Sequence, residues 1–164
     1  MKQDESNARI IDREQQKKNY QAATAAGLRI RAEAEARELE RAWRLGRCVS
    51  EAIQIALEKP CDSDFPMCDT EEEAIALFIK KFDKEGVTPA TVEKWLEVFD
   101  AISEDMMKAM VEANETSGIP LFAVDHVLNA RKLGDAEKIK RAFNEAIWFR
   151  EPLWKRVMHI SRGN

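Results

Sequence analysis

The sequence predicts an all-α protein, in which a long N-terminal helix, or two, precedes a compact bundle of shorter helices. Apolar residues recur at i, i+3, i+4 and i+7, and no stretch alternates as a strand does. Capping residues, prolines and glycines separate these periodic stretches. The chain has 164 residues, 45% of them hydrophobic, which is enough for one core, so we expect one compact domain with an extension.

Residues 1–59 are predicted to form the N-terminal helical extension. Helix formers dominate it, and its Gly27 either divides it into two helices or costs one helix about 1 kcal/mol. Because a narrow apolar seam is not buried by its own helix, we expect it to pack against the bundle or in a homodimer formed through this helix. The seam consists of Leu39, Trp43, Val49, Ile53 and Leu57.

Residues 60–69 are predicted to be a linker, and residues 70–164 the bundle, because prolines and turn-forming residues cluster before Thr70. Thr70 and Glu73 form a capping box for a helix over 71–82, with an apolar side of Ile75, Leu77, Phe78, Ile79 and Phe82. Thr88 caps the next helix and Pro89 fits its first position. The core face of that helix is predicted to carry Val92, Trp95, Leu96 and Phe99.

Four further helices complete the predicted bundle. We expect them over 104–113, from Pro120 to about residue 132, from a cap at Asp135 to about residue 149, and from Pro152 onwards, with a loop over 114–118. Three aromatic residues near the last junction, Trp148, Phe149 and Trp154, are expected to pack in the core at a helix corner.

Three segments carry a family resemblance: Thr88-Pro89-Ala90-Thr91-Val92, Ile102-Ser103-Glu104 and Leu133-Gly134-Asp135-Ala136-Glu137. Their order resembles the helix-turn-helix domain of the ParB/KorB family of plasmid and chromosome partition proteins, over residues 69–145. The resemblance implies a DNA-binding regulator of transcription or partition-type accessory protein of a mobile element, a plasmid or phage. That family normally has a short helix between its first helix and its recognition helix, whereas only residues 83–87 lie between Phe82 and Thr88 here.

A recognition helix reads bases near its N-terminus, while surrounding cations contact phosphates. The predicted DNA-binding residues are therefore Thr88, Thr91 and Lys94 on the helix, with Arg131, Lys132, Lys138 and Arg141 beyond it. Lys94 is the one cation on the outward side of this helix, which also carries Glu93, Glu97 and Asp100.

The charge distribution supports a second interpretation. Residues 48–118 hold 6 Lys/Arg against 17 Asp/Glu, whereas residues 1–47 hold 11 against 8 and residues 119–164 hold 9 against 5. A basic partner would therefore meet the middle of the chain. The alternative is a small helical protein-interaction module or inhibitor in which Glu71, Glu72, Glu93 and Glu97 bind a basic partner protein.

No catalytic residue, metal ligand or cofactor is predicted, and we expect no enzyme activity. Cys61 and Cys68 could hold a metal with Cys48 or a histidine, but they lack the close spacing typical of zinc sites, so ordinary thiols are expected. His126 is expected to be partly buried, and neither it nor His159 has a nucleophile or second ligand beside it. An odd number of cysteines and the lack of a long apolar run favour a cytoplasmic protein with no membrane segment.

Overall fold

The structure, a computed structural model, describes residues 2–58, 68–82 and 86–163. Within these ranges the α-helices are α1 (Lys2–Leu57), α2 (Glu71–Phe82), α3 (Pro89–Ala101), α4 (Glu104–Ser117), α5 (Val124–Ala130), α6 (Ala136–Phe149) and α7 (Leu153–Ser161). A 3-10 turn, Arg131–Leu133, joins α5 to α6. These ranges contain no β-strand, so the all-α prediction is confirmed. Most of the predicted linker, with Cys61, lies outside the described residues.

The C-terminal half of α1 runs through the core. Leu39 and Trp43 belong to the larger apolar cluster, which α3 to α7 complete, while Val49 and Ile53 belong to a smaller one with α2 and the first half of α3. The seam predicted from the sequence is therefore buried against the bundle, which was one of its two expected partners. Gly27 does not divide α1, which is one continuous helix.

α1 and α3 cross in close contact at Gly46. A Cβ atom at this position would lie 2.1 Å from the backbone oxygen of Trp95, so only glycine allows the approach. Beside this point the Trp43 ring packs against the Phe99 ring at 5.3 Å, and its Nε1 donates a hydrogen bond of 2.9 Å to the Ile102 carbonyl. The crossing fixes the position of α3, and therefore of the residues on its outer face.

α4 is longer than predicted and α5 is shorter. Residues 114–117, predicted as a loop, are helical, and Gly118 ends α4 in the left-handed conformation with φ of 68°. Residues 119–123 precede α5 as a non-helical segment, although Pro120 was predicted to start a helix there.

The fully buried side chain of Asn114 accounts for this difference. Its Oδ1 accepts hydrogen bonds from the N–H groups of Leu121 (3.0 Å) and Phe122 (2.8 Å), and its Nδ2 donates to the Phe122 carbonyl (2.8 Å). The Leu121 carbonyl in turn accepts from the N–H of Leu153, the first residue of α7. These bonds satisfy the backbone of the segment without a helix.

The aromatic residues at the α6–α7 junction are not in the core, contrary to the prediction. The exposed fractions of Trp148, Phe149 and Trp154 are 82%, 53% and 41%. The buried side of α6 is formed by Ala142, Phe143 and Ala146, and successive residues on a helix diverge by about 100°, which turns Trp148 away from it. Phe149, seven residues after Ala142, lies on the buried side but is the last residue of α6 and is still exposed. Phe82, also predicted to be buried, is exposed at the end of α2.

Candidate functional site

The acidic residues of α2 project outward because of how that helix begins. Thr70 Oγ1 accepts a hydrogen bond from the N–H of Glu73, as predicted. Glu73 Oε2 accepts one from the N–H of Asp69, the residue before Thr70, whereas a capping box predicts the N–H of Thr70 itself as the donor. Glu73 is used in this cap, whereas the exposed Glu71 and Glu72 are free of it. The first turn of α2 therefore presents two carboxylates to solvent.

α3 contributes the other two acids. Thr88 Oγ1 accepts a hydrogen bond from the N–H of Thr91 and caps the helix, as predicted. Glu93 and Glu97 then lie one turn apart on the exposed side, with the half-buried Leu96 beside them. Like charges at this i, i+4 spacing repel each other by about 0.2–0.5 kcal/mol. A cation placed between them would relieve that repulsion.

These residues line one open groove of about 640 Å³ between α2 and α3, which we call the acidic groove. Its floor is apolar, with the buried Ile75 of α2 and Leu96 of α3. Its walls carry all four acids predicted to bind a basic partner, Glu71, Glu72, Glu93 and Glu97, together with Thr70. In the described part of the chain, no Lys or Arg forms an ion pair with any of the four.

The predicted DNA-binding residues of α3 are partly occupied by local contacts. The Thr88 hydroxyl caps the helix and lies 3.1 Å from the Thr91 hydroxyl. Lys94 Nζ forms an ion pair of 2.7 Å with Asp125 Oδ1 at the start of α5. Thr91 and Lys94 line a separate cleft of about 440 Å³ against α1. Two residues of α1, the acidic Glu38 and the basic Arg41, also line this cleft.

Arg131, one of the four basic residues predicted to contact phosphates, lies near the other end of α3. Arg131 forms an ion pair of 3.3 Å with Asp100, about 14 Å along α3 from Thr91. Arg141 on α6 pairs with Glu145 at 2.9 Å, whereas Lys132 and Lys138 are exposed and form no ion pair with a described carboxylate. The structure brings the four predicted protein-binding acids into one groove, but it leaves the DNA-binding set on separate surfaces.

A half-buried ion-pair network joins α6 to α7. Glu145 Oε2 accepts a hydrogen bond of 2.7 Å from Arg156, whose guanidinium also binds Glu151 at 3.1 Å. The hydrogen bond from Arg156 lowers the pKa of Glu145, and the hydrogen bond to Glu145 raises the pKa of Arg156. Each charge is stabilised by the other, so this network holds the two helices together.

Other candidate chemistry is sparse in the described residues. No group of three His, Cys, Asp or Glu residues there could hold a metal ion. Cys48 is exposed and Cys68 is buried, both as free thiols. His126 is half-buried, as predicted, and His159 is exposed. Among the described helices, none is long and apolar enough to cross a membrane.

No family model, curated protein or solved structure matched this chain. The sequence identified the acids of the groove from charge alone. It did not identify Ile75 and Leu96 as a shared floor, although Ile75 is four residues after Glu71 and therefore lies on the same side of α2. Both are predicted to face the core, and both do belong to the smaller apolar cluster, so periodicity alone does not reveal that they also line an open groove.

Proposed function

We propose that this chain is a helical protein-interaction module whose acidic groove binds a basic amphipathic helix of a partner protein. The observation that supports this proposal is the combination of an apolar floor with four exposed carboxylates that have no cation partner in the described residues. An amphipathic helix supplies the complement of both features, because it carries apolar and charged side chains on opposite faces.

The groove would divide recognition between its floor and its walls. Apolar residues of the partner would cover Ile75 and Leu96, which removes apolar surface from water. Lys and Arg residues of the partner would meet Glu71, Glu72, Glu93 and Glu97 at the walls. Because these acids are exposed, their contribution should appear mainly in the association rate and should fall with salt.

Recognition of duplex DNA by α3 receives less support. Thr88 is engaged in the helix cap and Lys94 in an ion pair with Asp125, so two of the three predicted contacts already have partners within the chain. The outer side of the same helix carries Glu93 and Glu97, which would repel phosphates. DNA binding by a regulator or partition-type protein of a mobile element therefore stays a prediction, and so do a cytoplasmic location and a homodimer.

The test measures binding of a labelled amphipathic peptide of Lys and Leu, with a peptide of equal charge and no Leu as the comparison ligand. Wild-type protein should bind the amphipathic peptide more tightly, because only that peptide can cover the groove floor. Glu93→Gln with Glu97→Gln should weaken binding about five- to tenfold at low salt, since each exposed charge pair contributes roughly 0.2–1 kcal/mol.

Glu112→Gln with Glu115→Gln is the matched control. Both residues are exposed on α4 outside the groove, and this variant changes the net charge by the same amount. It should bind the peptide as wild type does. Equal losses in the two variants would mean that the peptide responds only to net charge, and the groove would then have no role. If α3 instead reads DNA, Glu93→Gln with Glu97→Gln should tighten binding to a DNA duplex.

A further inference from the structure

A second exposed surface lies where α6 ends and α7 begins, within residues 119–164, which hold 9 Lys/Arg against 5 Asp/Glu. We define the aromatic corner as Trp148, Phe149, Trp154, Lys155 and Met158. Trp148 is the most exposed large apolar residue among those described, and Phe149, Trp154 and Met158 are also exposed. Exposed large apolar residues gathered in one short stretch indicate a binding surface more often than single ones do.

Cations accompany the aromatic rings of this corner. Lys155 Nζ lies 5.5 Å from the centroid of the Trp154 ring, and the Arg156 guanidinium lies 5.0 Å from the Phe149 ring. Arg156 is held by Glu145 and Glu151, so its position over Phe149 is fixed. Lys155, in contrast, forms no ion pair with a described carboxylate and can contact an incoming anion.

The backbone adds a further cation at the end of α6. Arg150 adopts φ 52° and ψ 46°, the left-handed conformation that usually requires glycine at a helix C-terminus. Its guanidinium donates a hydrogen bond of 3.1 Å to Thr116 Oγ1, a neutral partner, so its charge is not compensated there. The one acid between residues 148 and 163, Glu151, is bound to Arg156. Glu145 is bound to Arg156 as well, and Glu112 lines the cavity beside Arg150, so Arg150 and Lys155 are the cations near the corner that form no ion pair with a described carboxylate.

We infer that the aromatic corner binds single-stranded nucleic acid. Unpaired bases would stack on the free faces of Trp148 and Trp154, while Lys155 and Arg150 would meet the backbone phosphates, which is how sequence-tolerant single-strand binding is built. Base stacking requires isolated aromatic faces with cations nearby, and the corner offers both. This inference does not depend on the acidic groove, which lies on α2 and α3.

The distribution of apolar residues on α7 favours a single strand over a lipid surface. Leu153 and Ile160 are buried in the core and Val157 packs against it, so the apolar face of α7 is already covered. A helix that inserts into a membrane interface needs that continuous face to be free. What remains outward on α7 is a narrow strip of Trp154, Lys155, Met158 and His159, which mixes apolar and polar side chains.

The test titrates full-length protein with a fluorescein-labelled oligothymidylate of about 20 nucleotides and with an abasic strand of the same length and charge. Binding should be at least about tenfold tighter for the strand with bases, and should weaken steeply between about 50 and 200 mM salt. Trp148→Ala with Trp154→Ala should weaken binding to the oligothymidylate at least about tenfold. Lys155→Gln should weaken binding to both strands and flatten the salt dependence.

Tyr20→Ala is the matched control, because Tyr20 is an exposed aromatic residue of α1, outside the segment that forms the corner. This variant should bind as wild type does, and circular dichroism should show that all variants are folded. Absence of binding by wild type at low salt, or equal binding by the two aromatic variants, would overturn the inference. Anionic phosphatidylserine vesicles are the competing ligand. Binding to them that is lost in Trp148→Ala with Trp154→Ala, without binding to the oligothymidylate, would also overturn it.

Discussion

The two halves of α1 differ in their surroundings and in their large apolar residues, which are more numerous in the second half. Both are rich in alanine and in charged residues, and both belong to one uninterrupted helix. Every described side chain of residues 4–30 is exposed, over a length of about 40 Å, whereas Ala32, Ala36, Leu39 and Val49 are completely buried. The difference arises from what lies beside each half, since α3 and α4 cover only the second.

This comparison separates helix formation from burial. The local sequence favours helix in both halves, because alanine and long unbranched side chains lose little entropy there. Stability from burial is confined to the second half, since apolar surface contributes only when another element removes it from water. The same substitution should therefore have different effects in the two halves, and matched pairs of residues allow this to be measured.

The largest difference in the free energy of unfolding is expected between alanine substitutions of the two glycines of α1. Gly46→Ala should destabilise the fold by about 4 kcal/mol, because the new methyl group would lie 2.1 Å from the Trp95 carbonyl oxygen and 2.8 Å from Phe99 Cβ. Gly27→Ala meets no atom within 4 Å and should stabilise the helix locally by up to about 1 kcal/mol. Urea unfolding of both variants measures the two effects. A loss below about 1 kcal/mol for Gly46→Ala would contradict the close crossing of α1 and α3.

A smaller difference in the free energy of unfolding is expected between alanine substitutions of two leucines of α1. Leu39→Ala should cost about 3 kcal/mol, because Leu39 is fully buried in the larger apolar cluster and its truncation leaves a cavity. Leu28→Ala, in the exposed half, should change the free energy of unfolding by less than about 0.5 kcal/mol. Thermal unfolding followed by circular dichroism provides the measurement. Similar losses for both leucines would show that residue 28 is also buried, for instance by a second copy of the chain.

The smallest effect on the core is expected from removal of residues 1–28. None of their described side chains is buried, so the remaining chain should unfold within about 0.5 kcal/mol of the full-length protein. Light scattering on both proteins then tests the predicted homodimer. If it forms through the N-terminal half of α1, the full-length protein should have twice the mass of its protomer, and the truncated protein should be a monomer. A dimer that survives truncation would exclude that half as its interface.

The sequence alone predicted the elements whose determinants are local. The start of α2 follows from the cap at Thr70, and the start of α3 follows from Thr88 and Pro89. The four acids of the groove were also predicted from the sequence, because the charge of a residue does not depend on the fold. Periodicity also identified Leu39 and Trp43 as part of an apolar seam that needs a partner, and the tertiary structure shows that this partner is the bundle.

Only the tertiary structure decided features that depend on residues of other elements. Residues 119–123 are not helical because Asn114, on another element, supplies their hydrogen bonds, and no local pattern reveals that partner. Trp148 and Trp154 are exposed because smaller residues of α6 and α7 already fill the adjacent core. The acidic groove exists because the crossing at Gly46 sets α3 beside α2 with Ile75 and Leu96 between their acids. Local free energies select helices, whereas packing selects which of their faces remain available for binding.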